Sequence, residues 1–542
     1  MRVGSTSFDE LAAWRRFAAG LPGYLRERIS LEEAEATVRR RLETRGDAFV
    51  RLVREAVFGH PASPFLPLFE LAGCTAGDVE REVAAHGLDA TLERLRQAGV
   101  YVTFEEVKGR RPLVRGGREV PIGPRSFDHP HLAAWYAGTT SGSTGAPYRA
   151  IVDLDLLRDR GPQVMLSHEA LGVLGAPSCH WRPILPSIPG LTLQLLDLRF
   201  GTVAERWYTP VSAAELGSTL KDRLATAAVV GVARASGVPF PRPRRLPLER
   251  AVEIARWAAG AVRRRGACRV RSTVSCAVRV AAAAREAGID LTGATLLGGG
   301  EPTTAARRRT VRASGARFFT TYGMVDVGGV GVPCAHAEDD QHVLEDGVAL
   351  ITAPHPVPGS AMTVDAFYLT PLLPSTPRVL INYQCDDFGI VERRPCGCRL
   401  ERAGYRRHVR GIGSLGKLCG EGVTLVGSDM IRILEESLPA RFGGGPTDFQ
   451  LVEEEGDDGL IRLWLDVHPR LELDEPEDAI VRTVYRELER SDAAGGLARA
   501  VWRGAGTLRV RRRAPEWNRH GKFQSLRTLG VSRTGGSSSR AG

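Results

Sequence analysis

Over residues 31–57 and 76–98 the apolar positions recur at three- and four-residue spacing, which predicts amphipathic helices separated by a Gly/Pro-containing loop at 59–67. Residues 1–110 therefore read as a helical region packed on something larger. From about residue 135 to 395 the pattern changes to short β-rich runs alternating with Ala/Arg-rich helices: a β-rich run at 272–280, a helix at 281–288, a strand at 294–297, a helix at 304–314 and a strand at 317–321. Alternation of that kind predicts a parallel sheet with crossover helices. After Gly411 the order changes again, with a strand at 423–425, a helix at 429–438, strands at 448–453 and 460–467, a helix at 477–488 and a strand at 508–511. The expected fold is α/β: a large N-terminal domain with mostly parallel sheets and crossover helices, plus a small mobile α+β C-terminal domain. The boundaries expected are a helical region at 1–110 packed on a large domain at 111–410, a small domain at 411–532, and a Gly/Ser/Arg-rich disordered tail at 533–542. No internal repeat is visible.

Composition narrows the class. The chain has 542 residues, 43% of them hydrophobic and 25% charged, with a formal net charge of +10, as a folding globular chain should. Basic clusters such as Arg263 to Arg265 and Arg511 to Arg513 are not interleaved with aromatic residues, which make up only 6% of the chain, so no nucleic-acid surface is expected. No apolar run is long enough to span a membrane, and a cytoplasmic location is expected. Nine cysteines in so long a chain do not form a disulfide scaffold, and the close pair Cys396-Gly397-Cys398 suits a metal better than a bridge. The cations are unevenly chosen: 69 arginines stand against 4 lysines, at 108, 221, 417 and 522. Where arginine serves almost every exposed position, each lysine becomes a candidate for a role that a guanidinium fills poorly.

The most informative segment is Thr139-Thr140-Ser141-Gly142-Ser143-Thr144-Gly145-Ala146-Pro147, after an apolar run at 132–137. Its glycines let backbone approach a polyphosphate, and its hydroxyls and main-chain N–H groups can donate to phosphate oxygens. A Ser/Gly linker has similar composition, but this segment lies within a patterned region and ends in proline. A second glycine pattern, Gly411-Ile412-Gly413-Ser414-Leu415-Gly416-Lys417, follows the Walker sequence until Leu418 stands where Ser or Thr must meet Mg²⁺, which argues against a P-loop NTPase.

The first segment resembles the phosphate loop of the adenylate-forming superfamily of acyl-CoA synthetases, adenylation domains and luciferases, and further motifs follow in that superfamily's order. Gly299-Gly300-Glu301-Pro302 is similar to its Gly-Glu-Pro turn, and Thr321-Tyr322-Gly323-Met324-Val325-Asp326 to its Tyr-Gly-x-Thr/Ser-Glu motif. Asn382-Tyr383-Gln384-Cys385-Asp386-Asp387 resembles the segment whose aspartate holds the ribose hydroxyls. Lys417-Leu418-Cys419-Gly420-Glu421-Gly422-Val423 fits the segment opening the mobile domain, and Gly521-Lys522 sits where the superfamily keeps Gly-Lys. Within the superfamily the stretch 283–291 and Pro395-Cys396-Gly397-Cys398 look like the phenylacetate-CoA ligase branch. Departures are Tyr148 and Arg149 in place of the lysine after the loop, Val325 for a hydroxyl residue, Asp326 for Glu, and Gln384 and Cys385 for Arg and Thr.

The resemblance implies ATP-dependent activation of a carboxylic acid as an acyl-adenylate, with pyrophosphate released, then transfer to a thiol, CoA foremost. A carrier protein or an amine is the alternative acceptor, and a non-catalytic nucleotide-binding protein on the same fold is the reading of another class. Lys522 would be the catalytic cation and Asp326 would hold Mg²⁺. ATP or AMP would be bound by Thr140, Ser141, Gly142, Ser143, Thr144, Gly145, Arg149, Gly300, Glu301, Pro302, Tyr322, Gly323, Asp387 and Lys417. Thiolate and imidazole ligands at Cys334, His342, Cys396 and Cys398 suit a structural tetrahedral Zn²⁺, with His336 as the alternative to His342. The implied partners are a small carboxylic acid and CoA or an acyl carrier protein, and a homodimer is compatible with the resemblance.

Overall fold

The computed structural model describes residues 5–132, 135–139, 149–214, 216, 218–300, 303, 305–356, 363–414, 417–420, 423–426, 430, 432–445, 447–456, 461–491, 507–516 and 525–527. The helical opening begins with Ser5–Arg26 and Leu31–Glu43. In the second of these Ser30 caps the N-terminus reciprocally with Glu33, and Ala34 and Val38, one turn apart, are its buried stripe. Helical segments Arg45–Leu52, Val53–Phe58, Leu66–Leu71, Ala76–His86 and Leu88–Gln97 belong to the same layer. It shares one apolar core with the strands beneath it, in which Phe49, Phe69 and Leu92 are buried together with Leu350, Phe367 and Tyr383.

Thirteen strands form the main sheet. In spatial order its path runs Val348–Pro356, Thr363–Pro371, Tyr383–Arg393, Arg407–Ser414, Ala337–Val343, Gly328–Cys334, Arg317–Met324, Ala294–Gly299, Cys268–Arg271, Ser178–Trp181, Arg206–Thr209 and Arg244–Arg245, with Val102–Thr103 added beside Tyr383–Gln384. The last five pairings are parallel and the first six antiparallel. The parallel half, crossed by helices Val252–Arg265 and Val274–Glu286, matches the strand–helix alternation of the sequence. Its central strands are buried on both faces, as parallel strands covered by crossover helices must be. The antiparallel half was not foreseen as such, because hairpin strands carry no helix between them to announce their direction.

The β-rich run at 272–280 is a second difference. It is the first half of the helix Val274–Glu286, capped by Thr273, whose side chain accepts from Cys276 N. Val274, Val278 and Val280 suggest a strand locally, but all three are buried against the sheet and tertiary packing overrides their propensity.

Near the C-terminus a four-stranded sheet has the order Leu508–Arg512, Ile461–Val467, Phe449–Glu455, Leu526–Arg527. Helix Glu477–Ser491 covers it through Ile480, Val484 and Leu488. Val211 and Leu216 of the larger part join the same apolar cluster.

Candidate active-site cavity

The strand Arg317–Met324 is where the sheet changes direction. Residues 317–321 pair in parallel with Ala294–Gly299, while Tyr322 to Met324 pair antiparallel with Gly328 to Gly331, with a register shift between Tyr322 and Gly323. A cavity of about 340 Å³ opens at this change, and Gly299, Gly300, Tyr322, Gly323 and Val325 line it together with residues of helices Leu154–Ala170 and Pro189–Leu198. Two glycines are dictated by the geometry. Gly300 has φ +85°, in the left-handed region, and a Cβ on Gly323 would lie 2.6 Å from the Gly328 carbonyl oxygen.

Two of the segments that carry the resemblance meet. Tyr322 Oη donates to Asp387 Oδ2 at 2.9 Å across 65 residues of sequence, and both side chains lie largely out of solvent. Burial and the neighbouring Asp387 carboxylate both raise the Tyr322 hydroxyl well above its ordinary range, so it keeps its proton for this bond. Asp387 is aimed by its surroundings. Asp386 has φ +69° and Asn382 has φ +49°, conformations that L-residues adopt only when their neighbours impose them. Asn382 Nδ2 donates to Leu92 O at 2.8 Å and to Val100 O at 3.1 Å, which ties this strand to the helical layer.

Asp326 sits between two cations. It is only 5% exposed, and Lys108 Nζ donates to its Oδ2 at 2.9 Å while Arg378 Nε lies 3.2 Å from Oδ1. Two cations thus offset the charge of this buried carboxylate. Lys108 is one of the four lysines, and the rarity of that residue is the one signal in the sequence that points to it.

Of the other predicted residues, Thr140, Ser141, Gly142, Ser143, Thr144, Gly145, Glu301, Pro302 and Lys522 lie outside the described residues. Thr139 and Arg149, at the two ends of the glycine-rich segment, face each other in the hairpin Trp135–Thr139/Arg149–Asp153. Lys417 opens the strand Lys417–Gly420 and pairs with Val426.

The cavity has a charged wall that no sequence motif announces. Behind it Asp197 is fully buried between Arg269 Nη2 at 2.7 Å and Arg271 Nη1 at 2.9 Å, and Arg269 Nη1 donates to His168 Nδ1 at 2.5 Å. Burial alone would raise the Asp197 carboxyl, but the two guanidiniums outweigh it and hold the group ionised, well below the usual carboxylate range. Burial, then Arg269, drives His168 well below its usual range, so it is neutral. Arg160, Arg182, Arg271 and His168 all line the cavity.

On the antiparallel side, Cys334, His342, Cys396 and Cys398 place one ligand atom each within 4.8 Å of the others. Tetrahedral Zn²⁺ with Zn–S bonds of about 2.3 Å needs ligand atoms about 3.7 Å apart. His342 Nε2 lies 3.1 Å from Cys398 Sγ and 3.6 Å from Cys396 Sγ. Its Nδ1 donates to the Tyr405 carbonyl at 2.9 Å, which fixes the tautomer that turns a lone pair to the sulfurs. Glu401 accepts from Cys396 N at 2.8 Å and Gly397 N at 2.6 Å and holds the Cys-Gly-Cys turn. Cys334 donates to Cys398, which holds the Cys398 thiol well below its ordinary range. His336 lies outside the cluster, its Nδ1 2.8 Å from the Cys396 carbonyl oxygen.

No family model and no curated protein matches the sequence. Among solved structures, the chain is similar to a 2-hydroxyisobutyryl-CoA ligase in complex with 2-HIB-AMP and CoA, with 14% identity, a TM-score of 0.49, and 93% of this chain and 91% of that one covered. It is also similar to the amide bond synthetase McbA from Marinactinospora thermotolerans, with 13% identity, a TM-score of 0.41 and coverage of 95% and 98%. A third likeness is to McyG A-PCP complexed with phenylalanyl-adenylate, with 11% identity, a TM-score of 0.32 and coverage of 80% and 63%. These are adenylate-forming enzymes with different acceptors. At such identities the assignment of this chain has to be argued from its own site.

Proposed function

We propose that the protein is an AMP-forming ligase of the adenylate-forming type, which joins a carboxylic acid to AMP with release of pyrophosphate and then passes the acyl group to a thiol, CoA foremost. The observation that carries this reading is the Tyr322–Asp387 hydrogen bond. It brings two motifs of the resemblance into contact, and Tyr322 lines the cavity together with Gly299 and Gly300.

In the first step a carboxylate oxygen bonds to the α-phosphorus of ATP and the bond to pyrophosphate breaks. An anion meets a polyanion, so fixed cations and donors must stand where charge develops. Lys522 is the cation assigned to that point, a compact ammonium on a long stem delivered by the small C-terminal unit. Asp387 would accept from the ribose hydroxyls, with Tyr322 holding its other oxygen. Backbone at Gly300 and Gly323 leaves room for the nucleotide. In the second step the thiol sulfur attacks the acyl carbon and AMP leaves.

The donor set Cys334, His342, Cys396 and Cys398 fits Zn²⁺ with every tetrahedral position filled by protein, so its role would be structural. It would fasten the hairpin Gly328–Cys334/Ala337–Val343 to the turn at 396–398. Nothing described assigns a residue to Mg²⁺.

Acid-dependent pyrophosphate release, scanned over aromatic and aliphatic acids with CoA, with an amine, and with neither, tests the reading and sorts the acceptors. Lys522→Ala should lower adenylation at least about 100-fold while leaving the folded state unchanged by circular dichroism. Absence of ATP consumption with every acid would sink the proposal. Metal analysis of chelator-free protein should return one equivalent of zinc, lost in Cys398→Ser.

A further inference from the structure

The cavity holds a cation that the adenylation reading does not use. Arg160, on helix Leu154–Ala170, lies against the hairpin after Asp326, where a Cβ on Gly329 would come 3.2 Å from its Nη2. It is partly buried, with its Nε out of solvent, and it lines the cavity. Among the described residues no carboxylate pairs with it, and its Nε has no hydrogen-bond partner. Its charged neighbour is another cation, Arg271, which already shares Asp197 with Arg269. Burial, then Arg271, pushes the Arg160 pKa down to about 10, so it remains charged at neutral pH.

An unpaired guanidinium in a closed wall is costly and calls for an anion from outside the chain. The reacting carboxylate is a poor candidate. It loses its charge when the acyl-adenylate forms, so a cation devoted to it would hold the substrate more tightly than the intermediate and oppose the step. A second anionic group on the acid keeps its charge through both steps. Ser167, on the same wall, adds a hydroxyl.

We propose that the cavity takes a dicarboxylic acid, with Arg160 binding the carboxylate that is not activated. The inference rests on the ligase reading for which carboxylate reacts, and on the cavity alone for the binding. Once bound, the second carboxylate receives the guanidinium's paired N–H donors, a fit that a lysine ammonium would reproduce only in part.

The test compares matched acids, hexanoic with adipic and phenylacetic with 4-carboxyphenylacetic, on the full chain and on its Arg160→Met and Arg160→Lys variants. Pyrophosphate release gives kcat/KM, and calorimetry in the presence of AMP gives binding without turnover. The diacid of each pair should be favoured by about tenfold or more, with the preference lost in Arg160→Met and partly kept in Arg160→Lys. Without ligand, Arg160→Met should melt higher than the parent, since an unpaired buried charge is gone, whereas loss of a merely structural arginine would lower the melting point. Diacids that bind no better than their monoacids would overturn the assignment. So would an Arg160→Met variant that weakens both members of a pair alike, which would place Arg160 on the reacting carboxylate. Diacid binding that depends on Arg160 but releases no pyrophosphate would uphold the pocket and defeat the ligase reading instead.

Discussion

Asp326 and Arg160 flank the same hairpin, and both are charges withdrawn from water, yet the chain treats them in opposite ways. Asp326 has two cations brought from residues 108 and 378. Arg160 has no counter-ion among the described residues, and its charge faces a cavity. A buried ion that is fully paired reads as architecture, while one left open reads as half of an interaction whose other half arrives with a ligand.

The sharpest way to break this contrast is to unpair Asp326. Asp326→Asn removes the carboxylate that Lys108 and Arg378 share, leaving Arg378 with Asp128 at 3.9 Å, and should cost about 3–5 kcal/mol in urea unfolding. Combining it with Lys108→Met should recover part of that loss, since the pair is coupled.

A third buried charge stands between the two extremes. Asp346 Oδ1 accepts from Tyr405 Oη at 2.7 Å and Gln163 Nε2 at 2.8 Å, but its cation, Arg41, is 3.9 Å away. Burial outweighs these partners and pushes its carboxyl up to about 6. The same group unfolded titrates near 4, so between these values the folded chain binds the proton better. Stability should therefore fall as pH rises from about 4 to about 6, by on the order of 3 kcal/mol, and change no further through this group above that. Urea midpoints measured across this range should show the slope, and Asp346→Asn should flatten it.

Arg160→Met moves stability the other way, upward by about 1–2 kcal/mol in the unliganded protein. The smallest effect belongs to Lys221, whose side chain is 77% exposed and 3.4 Å from Glu10. Lys221→Ala should change stability by no more than about 0.5 kcal/mol, so of these two lysine–carboxylate pairs only the buried one should matter.

These residues also mark how far the sequence could be read. The Cys/His cluster was legible because thiol and imidazole side chains are few and their chemistry is specific, and His342 rather than His336 belongs to it. Tyr322 and Asp387 were legible as separate motifs, and the fold supplied the contact between them. Lys108 and Asp326 are 218 residues apart, with no local pattern linking them, and only packing could pair them. Arg160 was invisible for another reason. Among 69 arginines nothing in its neighbours distinguishes it, because its distinction is the absence of a partner, a property of three-dimensional surroundings. The parallel strands were legible through the helices between them, and the antiparallel ones lacked that mark.

The strand Val102–Thr103 lies beside Tyr383–Gln384, just before Asp387 in the chain, and Lys108 follows a few residues later to reach Asp326. Residues 102–108, at the end of the helical opening, thus supply both a neighbour to the strand Tyr383–Arg393 and a counter-ion to the hairpin beside the cavity. A truncated protein starting after residue 130 would not be a smaller version of the same fold. It would expose the edge that positions Asp387 and leave Asp326 to Arg378 alone. Attempts to minimise this chain, or to transplant its cavity into another scaffold, should carry the helical layer with it.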